Sequence, residues 1–126
     1  MYETEKLLKN NDLDGLKELR RKGELDYGCM TTLAIYKNMK MLNLIYGWAV
    51  QDNLKDIKYS PMDEFMTSVL QYLVRNLEEP EHKDFLNLVR KTQKLNYDSL
   101  ILYVLNEYLA PKKLFLALDL LIEYAN

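Results

Sequence analysis

Ser99-Leu-Ile-Leu-Tyr-Val-Leu-Asn-Glu-Tyr-Leu109, then Pro111, then Lys112-Lys-Leu-Phe-Leu-Ala-Leu-Asp-Leu-Leu-Ile-Glu-Tyr124 is the most densely apolar stretch of the chain. Both segments read as helices. In the second, Lys112, Asp119, Glu123 and Asn126 recur at spacings of seven, four and three residues, which gathers them on one narrow stripe and leaves the rest of the circumference apolar. A helix that is apolar nearly all round is buried on several sides. Pro111 has no N–H and a preset φ, so it ends one helix and opens the next at the position where a helix tolerates it. The expectation is an all-α domain of six or seven helices built around this carboxyl-terminal helical hairpin.

The 126 residues make a single domain, 1–126, large enough to bury roughly two-thirds of its extended surface. An apolar fraction of 48% with 29% charged residues argues against disorder, and four Gly and three Pro leave little room for linkers. Cys29 is the one cysteine, which excludes an intramolecular disulfide. With no secretory signal and no apolar run long enough to span a bilayer, the expected location is cytoplasmic, without a membrane partner. A net charge of -2 argues against bulk nucleic acid as a partner, although a local basic face is compatible with it.

Outward from the hairpin, Tyr2 to Leu8 is a short segment ending in Asn10-Asn11-Asp12, residues that favour caps. A helix starts there, with Leu13, Leu16 and Leu19 on its apolar edge, and Gly23 after Arg20-Arg21-Lys22 closes it. From Thr31 to Val50, Ile35, Met39, Leu42, Ile45 or Tyr46, and Ala49 recur at helical spacing, which predicts one long helix. Gln51 to Tyr59 reads as a loop. Ser60-Pro-Met-Asp63 then carries the signature of a helix start, and Glu78-Glu-Pro-Glu81 opens another helix whose buried face is Phe85, Leu88 or Val89, Thr92 and Leu95. Nothing alternates with period two, so no sheet is expected.

Leu8-Lys-Asn-Asn-Asp-Leu-Asp-Gly-Leu-Lys-Glu-Leu-Arg-Arg-Lys-Gly-Glu-Leu-Asp26 resembles the second helix and finger turn of an ankyrin repeat, and Thr31-Thr-Leu-Ala34 resembles the start of the next. The resemblance covers residues 8–45 and implies stacked helix pairs that serve as a protein-binding surface. The sequence departs from the family at Thr32, where Pro is usual, and at Ala34, where His is frequent. Tyr36-Lys-Asn-Met-Lys-Met41 also lacks the helix-breaking Gly, so a continuous helix from Thr31 is expected.

For chemistry the chain offers no Gly-rich phosphate loop, no paired Cys or Cys-His ligand set and no nucleophile elbow. No cofactor, metal or catalytic residue is therefore expected. His82 lies in the first turn of its helix and is expected to be solvated, while Cys29 is expected to be a small buried hydrophobe. The acids of Asp63-Glu64 and Glu78-Glu79 sit at helix starts, where the dipole already accounts for them.

Two surface features bear on function. Lys83, Asn87, Arg90 and Lys94 fall at i, i+4, i+7 and i+11, with Lys91 beside them, on the side of their helix opposite Phe85, Leu88 and Leu95. Ten Tyr and six Met supply residue types that are over-used at interfaces. The expected function is a non-enzymatic protein–protein interaction module, an adaptor or small regulatory protein. It is expected to self-associate as a homodimer with Leu116, Leu120 and Tyr124 in the interface. The alternative is a small nucleic-acid-binding regulator that sets Lys83, Asn87, Arg90, Lys91 and Lys94 on phosphates.

Overall fold

The computed structural model describes residues 2–52 and 61–126. Among the described residues the protein is all-helical, at 77% helix, with no strand. Its elements are α1 (Tyr2–Lys9), α2 (Leu13–Arg21), α3 (Cys29–Ile35), α4 (Met39–Gln51), α5 (Pro61–Leu73), α6 (Pro80–Thr92), α7 (Tyr97–Asn106) and α8 (Pro111–Ala125), with a 3-10 turn at Val74–Asn76. Residues 53–60, which carry most of the expected loop and the expected Ser60 cap, lie outside the described residues.

Two of the helix connections, α1 to α2 and α3 to α4, use the same device. At the end of α1, Asn11 takes a left-handed φ of 53° and the Asp12 N–H donates to the Leu7 carbonyl at 2.9 Å. At the end of α3, Lys37 takes a φ of 56° and the Asn38 N–H donates to the Leu33 carbonyl, also at 2.9 Å. In each case the next residue caps the following helix. Asp12 accepts from the Gly15 N–H at 2.9 Å and Asn38 from the Met41 N–H at 3.3 Å. Each turn is a Schellman closure running straight into an N-cap, so two antiparallel helices meet with no loop between them. Gly15 keeps the first pair close, since a Cβ there would lie 2.6 Å from Leu7 Cδ2. Gly23, at a φ of 73°, closes α2 in the same manner.

The second of these turns corrects the expected helix from Thr31 to Val50, which breaks at Tyr36, Lys37 and Asn38 into α3 and α4. The described residues therefore hold eight α-helices rather than six or seven. Apolar spacing masked the break because α4 resumes with Met39, Leu42 and Ile45 buried, as a continued helix would have had them. Ile35, taken as core by that spacing, is 46% exposed at the end of α3.

Successive helices pair as α1 with α2, α3 with α4, α5 with α6 and α7 with α8, and the pairs stack through α3 on α5, α5 on α7 and α4 on α6. The core is densest in the middle of this stack. Of the 28 buried apolar side chains among the described residues, 20 lie between Cys29 and Val89, against five on α7 and α8. Tyr46 and Phe85 meet edge to face there, with centroids 5.3 Å apart, and the Tyr46 hydroxyl hydrogen-bonds Thr92. The carboxyl-terminal pair is thus the end of a stack, not the centre around which the rest is organised. Leu100 and Val104 of α7 and Ala117, Leu120 and Leu121 of α8 are buried, and Lys113 anchors α8 to the 3-10 turn through Asn76 Oδ1 at 2.9 Å and to Glu78 Oε1 at 3.2 Å.

Candidate interaction surface

Each helix of the last pair is apolar on two sides, and only one side is covered. On α8, at about 100° per residue, Ala117 and Leu121 sit nearly opposite the polar stripe of Lys112, Asp119 and Glu123 and face inward. Phe115, Leu118 and Ile122 form a second apolar stripe along the outward side. Phe115 is 62% exposed and Ile122 50%, with Leu118 half-buried between them. On α7 the residues opposite Leu100 and Val104 are Leu102 and Leu105, at 60% and 57% exposure, and Tyr108 in the following connection is fully exposed.

The residues expected in a dimer interface are placed elsewhere. Leu120 is buried, and Leu116 and Tyr124 are half-buried against the protein's own core. Tyr124 donates its hydroxyl to Asn87 Oδ1 at 2.6 Å, and its ring lies under the Arg90 guanidinium at 3.9 Å. The expected basic face is divided by the same contact. Lys83, Arg90 and Lys91 are exposed on α6, but Asn87 is occupied by Tyr124, and Lys94 falls beyond the end of the helix in the connection to α7.

His82 is buried at 1% exposure, contrary to the solvated position expected of a first-turn residue. Its Nδ1 faces the Leu73 carbonyl oxygen at 3.3 Å, and its Nε2 lies 3.2 Å from Glu79 Oε2 without hydrogen-bond alignment. Glu79 in turn pairs with Lys37 Nζ at 3.1 Å, tying the start of α6 to the turn between α3 and α4. Cys29 is buried as expected, and burial, reinforced by the nearby Asp26 carboxylate, pushes its thiol up to about 12. No hydrogen bond joins it to His82. Among the described residues no group of three or more His, Cys, Asp and Glu side chains could hold a metal ion.

Sequence reasoning also passed over a polar clamp that closes α2 on α4. Arg20 donates through Nε and Nη2 to Asp52 at 3.1 and 2.8 Å and through Nη2 to Gln51 at 3.0 Å, and it lies 5.2 Å above the Trp48 ring. The Tyr27 hydroxyl donates to the same carboxylate at 2.8 Å. The Arg20 hydrogen bonds hold the Asp52 carboxyl below the usual carboxylate range. Lys17, Arg21 and Leu25 complete a recess of about 660 Å³ around this group. Within the recess Arg20 is paired with Asp52, and Arg21 with Glu18 beside it.

Comparison with protein-family models, with curated proteins and with solved structures gave no significant match. Among the described residues no helix is long and apolar enough to cross a membrane.

Proposed function

We propose that this chain is a non-enzymatic helical interaction module that self-associates through its carboxyl-terminal helix pair. The observation that carries the proposal is the concentration of uncovered apolar surface. Five of the nine exposed large hydrophobic side chains among the described residues, Leu102, Leu105, Tyr108, Phe115 and Ile122, belong to α7, α8 and their connection. Scattered apolar residues are normal on a protein surface, whereas a group of this size marks an interaction site. The dimer keeps to the carboxyl-terminal hairpin, but the residues proposed for its interface are now Phe115, Leu118 and Ile122.

The resemblance of residues 8–45 to ankyrin repeats is part of the same proposal. It is supported by the repeated helix–turn–helix unit, whose caps Asp12 and Asn38 are 26 residues apart. That spacing is shorter than the family's period of about 33 residues. A nucleic-acid-binding regulator has less support, because Arg90 and Asn87 are engaged with Tyr124 and Lys94 lies off the helix.

The proposal is tested by co-expressing two differently tagged copies. Purification through either tag is expected to bring the other copy with it, and Phe115→Ser with Ile122→Ser is expected to abolish this. Independent elution of the two copies would contradict it.

A further inference from the structure

We infer that the assembly is a closed tail-to-tail dimer, in which the outward face of α7 and α8 in one copy covers the same face of a second. This rests on the self-association proposed above and adds that both copies use the same face, which is why growth stops at two. The two ends of the stack differ in chemistry. At the amino-terminal end α1 and α2 expose Glu3, Lys6, Lys9, Asp14 and Lys17, with Leu13 the one exposed large hydrophobic among their described side chains, a mainly polar outer face of the kind that terminates a stack in water. The carboxyl-terminal end has no such cap. Phe115 and Ile122 on α8 and Leu102 and Leu105 on α7 point away from the buried side of their helices, Lys112, Asp119 and Glu123 border the α8 stripe along one edge, and the exposed Asp98 lies one turn before Leu102 on the same side of α7.

A head-to-tail contact would press this apolar face onto the charged face of α1 and α2 and would repeat without closing. Set against itself, the same face meets apolar surface and is used up in one step. The area is sufficient. At the exposures given above, the five side chains present on the order of 500 Å² of apolar surface. A standard interface buries about 800 Å² per partner, of which roughly 56–65% is apolar, so the last pair carries about the apolar area such an interface requires. The charged edge of α8 then forms part of the rim, where polar residues are normal.

Spin labels on the full chain with Cys29→Ala distinguish the arrangements. Helices pack 8–10 Å apart, so four stacked pairs extend on the order of 40 Å, and the amino-terminal ends of a tail-to-tail dimer stand roughly 60–80 Å apart. A label at Glu123→Cys is expected to give a dipolar distance below about 35 Å, and a label at Lys6→Cys only distances beyond about 50 Å. On the otherwise native chain, Phe115→Glu with Ile122→Glu is expected to weaken the dimer at least about 100-fold, and Leu13→Glu on the polar end by less than about threefold. Equal distances at the two sites, or a short distance at Lys6→Cys, would overturn the tail-to-tail arrangement while leaving self-association in place. A chain that stays monomeric at every concentration would overturn both.

Discussion

Arg90 and Tyr124 are stacked, with the guanidinium carbon 3.9 Å from the ring centre, while the Tyr124 hydroxyl holds Asn87 one turn away on α6. Asn87 and Arg90, which read in sequence as part of a basic face, and Tyr124, which reads as part of an oligomer interface, are therefore the two halves of one contact between α6 and α8. Arg90→Ala should cost about 0.5–1 kcal/mol through the lost cation–π contact, and Tyr124→Phe about 1 kcal/mol through the lost hydrogen bond. Because Arg90 and Tyr124 touch, Arg90→Ala and Tyr124→Ala should be non-additive by at least about 0.5 kcal/mol in a double-mutant cycle of urea midpoints. Strict additivity would mean that the stack contributes nothing.

Leu121→Ala should cost about 2–5 kcal/mol, since the side chain is fully buried and its removal leaves a cavity. Leu105→Ala should cost under about 1 kcal/mol in the monomer, because Leu105 is more than half exposed and most of its surface remains in water in either state. Urea unfolding at a concentration too low for association compares the two. Equal losses would reverse the sides assigned to the last pair.

The break between α3 and α4 rests on Asn38, whose side chain accepts from the Met41 N–H. Asn38→Ala should lower stability by about 1 kcal/mol, and Asp12→Ala should do the same in the equivalent turn between α1 and α2. If Asn38→Ala leaves the urea midpoint unchanged and raises the far-ultraviolet helical signal, α3 and α4 are one helix in solution.

The Cys29 thiol is pushed up to about 12 by burial, against an unfolded value of about 8.5. The native state thus keeps a proton that the unfolded chain releases. Its contribution to stability is complete below about pH 8.5 and falls as pH rises from there towards the folded value. Stability should decline between about pH 8.5 and 11 more steeply in the parent than in Cys29→Ala. At pH 8 the thiol should react with a disulfide reagent only after urea unfolds the chain. Stoichiometric reaction in the native state would show that α3 does not bury it.

What could be read from the sequence was what local chemistry dictates. Gly23 closing α2 and Pro111 opening α8 both stand where their φ preferences put them. The all-helical class followed from apolar spacing alone. The break at Lys37 and Asn38 escaped because a Lys in left-handed conformation carries no Gly-like signal, yet the Asn before a new apolar run was a cap in plain view, as Asp12 was. His82 was misplaced because a first-turn position says nothing about what crosses above it, here the end of α5 at Leu73. On α8, a nearly uniform apolar sequence gives a helix but little phase. The phase lay in the polar stripe, and reading directly across from Lys112, Asp119 and Glu123 would have found Ala117 and Leu121 inside, whereas the flank of Phe115 and Ile122 and the flank of Leu116 and Leu120 lie symmetrically beside the stripe, so only the packing shows which is uncovered.

The central claim, that a second copy covers the last helix pair, is tested most directly by the mass of the intact chain in solution. Light scattering at about 20 µM, above the micromolar dissociation constant expected at the weak end of standard-size interfaces, should return twice the 15.0 kDa of one chain. On dilution the mass should fall towards one chain without passing through larger species. A constant mass of 15.0 kDa over the whole range would contradict the account.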